Sequence, residues 1–225
     1  MGATLKRVAA FLFIAALTIN ASPLGARAGK SEGQAQSGSV GDRAAGAARL
    51  AAQPFGFAIH GGAGTILKSE MGPELEEAYR AKLREAVLAG YSIVKNGGSS
   101  LDAVETAIRM LEDSPLFNAG KGSVMTSERT FELDASVMDG KTLKAGAVAG
   151  LKHIKNPISL ARLVMEQSEH VLLAGDGAEA FAREKGVDFV QHEYFFTDRR
   201  LKELEREKEK ERRKKTTAPQ QPQTR

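Results

Sequence analysis

A glycine-rich loop is the first place in this chain where the backbone could approach a ligand or a reacting group. Residues 55–60 form a short apolar run that predicts a buried strand, and Gly61, Gly62 and Gly64 follow it directly. Glycines allow backbone conformations that are closed to other residues. The spacing matches neither the dinucleotide-binding fingerprint nor the P-loop, because no Lys-Ser/Thr pair follows. We therefore interpret the loop as a site of close backbone approach and keep a small nucleotide-binding domain as an alternative.

Other residues with suitable chemistry do not form a recognisable catalytic set. The four histidines are scattered and show no metal-ligand spacing with an acidic third ligand, so structural roles are predicted for His60, His153, His170 and His192. No serine lies in a Gly-x-Ser-x-Gly motif. Glu132 and Asp134 are two residues apart and would share one face of a strand. This pair could do acid–base work, but we favour the interpretation that one carboxylate orders a neighbouring turn or helix end.

Composition and charge exclude several classes of protein. The chain of 225 residues has no cysteine, which excludes a disulfide framework, a thiolate nucleophile and cysteine zinc sites. The formal net charge is +4, but it is unevenly distributed. Residues 55–198 carry 15 basic and 21 acidic residues, whereas residues 199–215 carry ten basic residues and five glutamates. Because nucleic-acid binding needs a basic face on the folded domain itself, no nucleic-acid partner is expected.

The elements that must position these residues follow from hydrophobic periodicity and breakers. A helix is predicted from Pro73 to the stop at 96–98, and Ser99 or Ser100 should cap a second helix. Strands, helices and a tight turn at 139–140 are expected further along: strands at 123–126, 130–138, 145–150 and 171–175, and helices from Pro157 and over 178–185. The pattern predicts an α+β fold with helices paired on one side of an antiparallel sheet, forming half of a layered sandwich.

The ends of the chain differ in composition from the predicted domain at 55–198. Residues 1–28 have the layout of a secretory signal: Lys6 and Arg7, then an apolar run too short to span a membrane comfortably, then small residues before Gly29. This predicts export to the periplasm or medium without a stable membrane anchor. Residues 29–54 lack bulky apolar groups and predict a disordered spacer. Residues 199–225 predict a charged, flexible linker, whose charged part is either a solvated helix or disordered.

Several long strings, in order, resemble plant-type asparaginases and isoaspartyl peptidases. They are HGGAG at 60–64, LEDSPLFNAGKGSV at 111–124, ELDASVMDG at 132–140, LKAGAVAG at 143–150, and the stretch 156–166 that begins Asn-Pro and ends Met-Glu. The resemblance covers essentially the whole predicted domain. It implies the αββα sandwich of the N-terminal-nucleophile hydrolases. These are made as a precursor that cleaves itself ahead of a threonine, whose own α-amine then serves as the base.

The resemblance also implies roles for particular residues. Gly61 and Gly62 match a mobile glycine loop that influences self-cleavage, and Asn118 matches an asparagine close to the nucleophile. The segment 111–121 matches a loop that wraps a structural sodium ion through backbone carbonyls. The implied ligands are the carbonyl oxygens of Leu111, Glu112, Ser114, Phe117, Ala119 and Lys121. No organic cofactor is implied.

One departure from the family pattern is large. The expected Thr-Val-Gly-Ala-Val segment with its nucleophile does not occur, and Thr216 and Thr217 lie in Lys-Lys-Thr-Thr-Ala-Pro-Gln, which has no strand character. The sequence therefore predicts the α subunit, or a truncated precursor, of a hydrolase of β-aspartyl amide or peptide bonds. It would be inactive without a β subunit that carries the threonine, and it would assemble as a dimer of αβ pairs. The alternatives are a glycosylasparaginase-type enzyme and a non-catalytic α half that binds or regulates a related enzyme.

Overall fold

The computed structural model describes residues 16–20, 55–62 and 71–217. The remainder of the predicted leader and spacer at 1–54, the end of the glycine loop at 63–64, and the end of the predicted linker at 218–225 lie outside the described residues. Ala16–Asn20 (β1) falls within the predicted leader, and its backbone pairs antiparallel with Phe55–Ile59 (β2), the strand that precedes the glycine loop.

Two long helices form a hairpin beside β2. The first, α1, is Pro73–Lys95 and begins with proline in its first turn. It ends at Asn96–Gly98, where Gly97 has a φ of 83° that suits glycine. The second helix, α2, is Ser100–Glu112, and the side chain of Ser99 caps it by accepting a hydrogen bond from the Asp102 N–H. The predicted helices and the predicted cap are thus confirmed.

A three-stranded sheet follows, in the order β3–β4–β5. Leu133–Met138 (β3) pairs antiparallel with Ala145–Leu151 (β4), and β4 pairs parallel with Leu172–Ala174 (β5). The prediction of an antiparallel sheet is therefore wrong at β5. The physical reason is the helix Pro157–Gln167 (α3), which carries the chain back across the sheet between β4 and β5, as a parallel pair requires.

The main core lies between this sheet and the helices that cover it. Val148 and Leu151 of β4, Leu160 and Val164 of α3, and Phe195 are almost fully buried. Gly175–Glu184 (α4) adds Ala178 and Ala182 to the same cluster. Short 3₁₀ helices at Gly120–Gly122 and His192–Phe195 complete the domain. A second, smaller apolar cluster lies between α1, α2 and β2.

One further prediction differs from the structure. No strand forms at 123–126, and β3 begins at Leu133, because the Thr126 and Thr130 backbones bond each other and Arg129 has a φ of 62°, which together make a turn. The charged segment is helical over Asp198–Thr217 (α5). A helix is one of the two alternatives predicted for this segment, and its first turns pack Leu201 and Leu204 against the main core.

Within the described part of the chain, no helix has the length and apolar character needed to cross a bilayer.

Candidate functional site

The described start of the glycine loop lies against the string LEDSPLFNAGKGSV at 111–124. A Cβ on Gly61 would come within 2.9 Å of the Leu83 side chain and 3.4 Å of the Phe117 ring. Gly62 has a φ of 112°, a conformation that side chains rarely allow, and its N–H donates to His60 Nδ1 at 3.2 Å. The described start of the glycine loop is therefore close-packed on the segment 111–124, which we call the asparagine loop.

The asparagine loop folds tightly on itself, and two glycines make this possible. A Cβ on Gly120, whose φ is 49°, would lie 2.3 Å from the carbonyl oxygen of Glu112. A Cβ on Gly122 would lie 2.2 Å from the carbonyl oxygen of Phe117. Both distances are shorter than any van der Waals contact, so these positions leave no room for another residue.

Asn118 braces the same loop from within. Its side-chain oxygen accepts a hydrogen bond from the Val124 N–H at 2.8 Å, and the Ser123 hydroxyl donates to the Gly120 carbonyl at 2.8 Å. The structure therefore packs Gly61 against the ring of Phe117, the residue directly before Asn118 in the asparagine loop.

A buried carboxyl group ties the start of the asparagine loop to α3. Glu112 is 3% exposed and accepts hydrogen bonds from the Ile158 N–H at 3.0 Å and from Asn156 Nδ2 at 3.2 Å. Burial raises the pKa of Glu112 to about 8, although these two donors act in the opposite direction, and the neighbouring Asp113 adds to the increase. The carboxyl group is thus mainly protonated at pH 7 and closes the N-terminus of α3 without a full charge.

The backbone oxygens implied as sodium ligands suit a hard cation, which prefers oxygen donors. The carbonyls of Leu111 and Ala119 accept the backbone N–H groups of Ser114 and Gly122, and each carbonyl oxygen retains a second lone pair. Among the described residues, no cluster of three or more acidic, histidine or cysteine side chains could hold a metal ion.

Three residues that sequence reasoning did not single out also contact the asparagine loop. Tyr79 of α1 donates its hydroxyl to the Leu116 carbonyl at 2.6 Å, and Arg199 and Arg200 of α5 donate to the Leu116 and Gly122 carbonyls at 2.7 Å each. Only main-chain atoms are recognised, so the loop carries no sequence signal for these contacts.

Three of the remaining sequence candidates have structural partners. His153 Nδ1 lies 2.9 Å from a carboxylate oxygen of Glu179, and His192 lies against Phe131. Asp134 accepts the Gly150 N–H at 2.8 Å, next to an irregularity in the β3–β4 register. The Asp134 carboxylate thus orders the neighbouring strand β4, and not the turn or helix end that was predicted for one member of the Glu132 and Asp134 pair.

A surface groove of about 700 Å³ follows α5. Charged side chains of that helix line it, among them Arg199, Lys202 and Glu205. None of the residues predicted from the sequence to form a site lines this groove.

Comparison with known proteins matches the same part of the chain. The family model described as asparaginase matches residues 52–225. The isoaspartyl peptidase of Escherichia coli is 52% identical over 148 residues, which are 66% of this chain and 46% of the relative. The plant-type L-asparaginase of Pyrococcus abyssi is 54% identical over 152 residues, 68% of this chain and 47% of the relative.

A vertebrate relative is similar to the same share of this chain. The isoaspartyl peptidase/L-asparaginase of Xenopus laevis is 48% identical over 144 residues, which are 64% of this chain and 45% of the relative. The chain therefore spans a little under half the length of the curated relatives that it matches. With the matched family model covering the described domain and both loops, the chain belongs to the asparaginase family.

Proposed function

We propose that this chain is the α half of a hydrolase that cleaves β-aspartyl amide or peptide bonds, and that a β segment outside these 225 residues supplies the threonine nucleophile. The observation that carries the proposal is the packing of Gly61 on the Phe117 ring, which joins the two family strings in space. The names of the relatives, isoaspartyl peptidase and plant-type L-asparaginase, favour this substrate class over a glycan-linked asparagine.

In the proposed reaction, this chain shapes the site and the β segment provides the reacting groups. The threonine hydroxyl would attack the side-chain carbonyl of the β-aspartyl group, its own α-amine would take the proton, and water would release the acyl group after the amine has left. The small residue at Gly61 allows close approach of the backbone, and Asn118 fixes the loop beside it. The described domain would form half of the αββα sandwich, which the β segment would complete.

The tail threonines are poor candidates for the nucleophile. Thr216 lies within α5, where its hydroxyl donates to the Arg212 carbonyl at 3.0 Å. A hydroxyl that is hydrogen-bonded to its own helix is not free to attack, and the nitrogen of a residue within a helix is an amide rather than the free α-amine that the chemistry needs.

We further propose that the asparagine loop holds a sodium ion through its six implied carbonyls, with a structural role. This rests on the resemblance and on the suitability of the carbonyl oxygens. The temperature of unfolding should be higher in sodium chloride than in tetramethylammonium chloride at equal ionic strength. Equal unfolding temperatures in the two salts would count against a sodium ion here.

Turnover tests the main proposal. The purified 225-residue chain should release no ammonia from asparagine and no amino acid from a β-aspartyl dipeptide. Co-expression with the C-terminal half of the Escherichia coli relative should restore hydrolysis, and the same half with alanine in place of its nucleophilic threonine is the matched control. Hydrolysis by the chain alone, above a heat-inactivated sample, would overturn the proposal.

A further inference from the structure

The start of α5 is joined to the asparagine loop by a charged side chain that reaches across the domain. Arg199 donates through Nη2 to the Leu116 carbonyl at 2.7 Å and through Nη1 to the Tyr79 hydroxyl at 2.8 Å. The Tyr79 hydroxyl in turn donates to the same carbonyl at 2.6 Å. One carbonyl of the loop is therefore held by two donors, which come from α1 and α5.

A second arginine holds the other end of the loop. Arg200 donates through Nε to the Gly122 carbonyl at 2.7 Å, and its Nη1 lies 2.6 Å from the Glu203 carboxylate. Its side chain is only 11% exposed. Hydrogen bonds from a cation are stronger than neutral ones, and the ion pair with Glu203 fixes the guanidinium for the loop contact.

The two arginine contacts lie next to carbonyls that are implied as cation ligands. Leu116 and Gly122 directly neighbour Phe117 and Lys121, two of the residues whose carbonyls are the implied cation ligands. Each peptide unit is planar, so holding the carbonyl of residue 116 also fixes the N–H side of Phe117. Holding the carbonyl of Gly122 fixes the N–H side of Ser123 in the same way, one peptide unit beyond the Lys121 carbonyl.

We propose that Arg199 and Arg200 are positioning residues which clamp the asparagine loop to the start of α5. The shape of the loop then depends on the segment that follows the domain, and Leu201 and Leu204 keep that segment seated on the core. A change in this segment, such as cleavage or binding near α5, would be transmitted to the loop through two arginine side chains. The importance of the clamp for hydrolysis rests on the function proposed above, whereas the clamp itself does not.

Hydrogen exchange of the full 225-residue chain, followed by mass spectrometry, tests the clamp. In the double variant Arg199→Gln/Arg200→Gln, amides of the asparagine loop should exchange about tenfold faster, because charge-assisted hydrogen bonds that hold the loop are lost. Amides of α3 and β4 should keep the exchange rates of the parent chain. That contrast separates a local positioning role from general loss of stability.

The matched control is Arg206→Gln/Arg212→Gln, which removes the same charge from exposed positions further along α5. It should leave loop exchange unchanged. If the first double variant does not fold, Arg200→Lys, which retains the charge but loses the guanidinium geometry, should still speed exchange near Gly122. Unchanged loop exchange, or an equal increase in α3 and β4, would overturn the clamp and leave the hydrolase proposal untouched. Absence of turnover in the paired protein would overturn the hydrolase proposal and leave the clamp untouched.

Discussion

Two glutamates whose side chains are almost inaccessible to solvent have pKa values shifted in opposite directions. Glu112, at the end of α2, is 3% exposed, and Glu179, in α4, is 4% exposed. Glu179 accepts the backbone N–H groups of Lys152 and His153 and contacts the His153 ring. Glu112 accepts one backbone N–H and one amide group, beside the acidic Asp113.

The difference lies in the partners and also in how deeply the surrounding protein encloses each carboxyl group, which is greater at Glu112. Burial alone would raise the pKa of both groups, and at Glu112 it prevails. At Glu179 the hydrogen bonds from His153 and from the two N–H groups outweigh burial and hold the pKa below its usual value. The α4 region is therefore stabilised by a charged group, whereas the region of the asparagine loop is closed by a neutral one.

The largest difference in stability is expected between two glycine-to-alanine substitutions, one near each glutamate. In Gly120→Ala, the added Cβ would meet the Glu112 carbonyl, and the residue would keep a φ of 49°. We expect a loss of about 3 kcal/mol or more in the free energy of unfolding, measured with urea. In Gly177→Ala, near Glu179, the Cβ would meet nothing within 4 Å inside a helix. It should be neutral or slightly stabilising. Equal losses in the two variants would contradict the tight fold of the asparagine loop.

The pH dependence of the free energy of unfolding should also differ between the two carboxyl groups. Glu112 has its folded pKa raised from 4.5 to about 8. Between these values the folded state binds a proton that the unfolded state lacks. Its contribution to stability is thus full below pH 4.5 and falls as the pH rises to about 8, by up to about 1.4 kcal/mol per pH unit. Urea unfolding from pH 5 to pH 8 should show this slope in the parent chain and a flatter profile in Glu112→Gln. The same slope in both would contradict the assignment.

Glu179→Gln should change the free energy of unfolding least. The contribution of Glu179 to stability should also depend on pH in the opposite direction to that of Glu112. The amide oxygen can still accept the backbone N–H groups, but the charged contact with His153 is lost, so we expect a cost of about 1 to 2 kcal/mol at pH 7. Because the folded pKa is lowered, the contribution is present above the usual value of 4.5 and disappears as the pH falls through the folded pKa. The parent and variant should therefore converge in urea unfolding at acidic pH, and a gap that widens there would contradict a charged Glu179.

Local signals predicted much of the fold. Pro73 and Pro157 mark the first turns of α1 and α3, and Ser99 caps α2, because each acts through its own backbone neighbourhood. Apolar runs located β2 and β4 for the same reason. The parallel pairing of β5 was missed, since register and direction depend on how α3 crosses the sheet rather than on the composition of a three-residue strand.

The candidate site was predicted only where the family strings mark it. Gly61 and Asn118 fall in those strings, and the structure packs Gly61 against the ring of Phe117, which directly precedes Asn118. The Arg200 contact joins residues 78 positions apart and reads a carbonyl oxygen that every residue has. Glu112 was expected to contribute its carbonyl, but a buried side-chain role at the start of α3 could not be inferred from a charged residue at a helix end.

The central claim is that this chain shapes a site whose nucleophile comes from another segment. The most direct test is to find which of the two chains carries the acyl group during turnover. The measurement is intact-mass analysis of the co-expressed pair, quenched in acid during turnover of a β-aspartyl substrate. An aspartyl adduct on the partner half, lost when its threonine is replaced by alanine, is the predicted result. An adduct on the 225-residue chain would contradict the account.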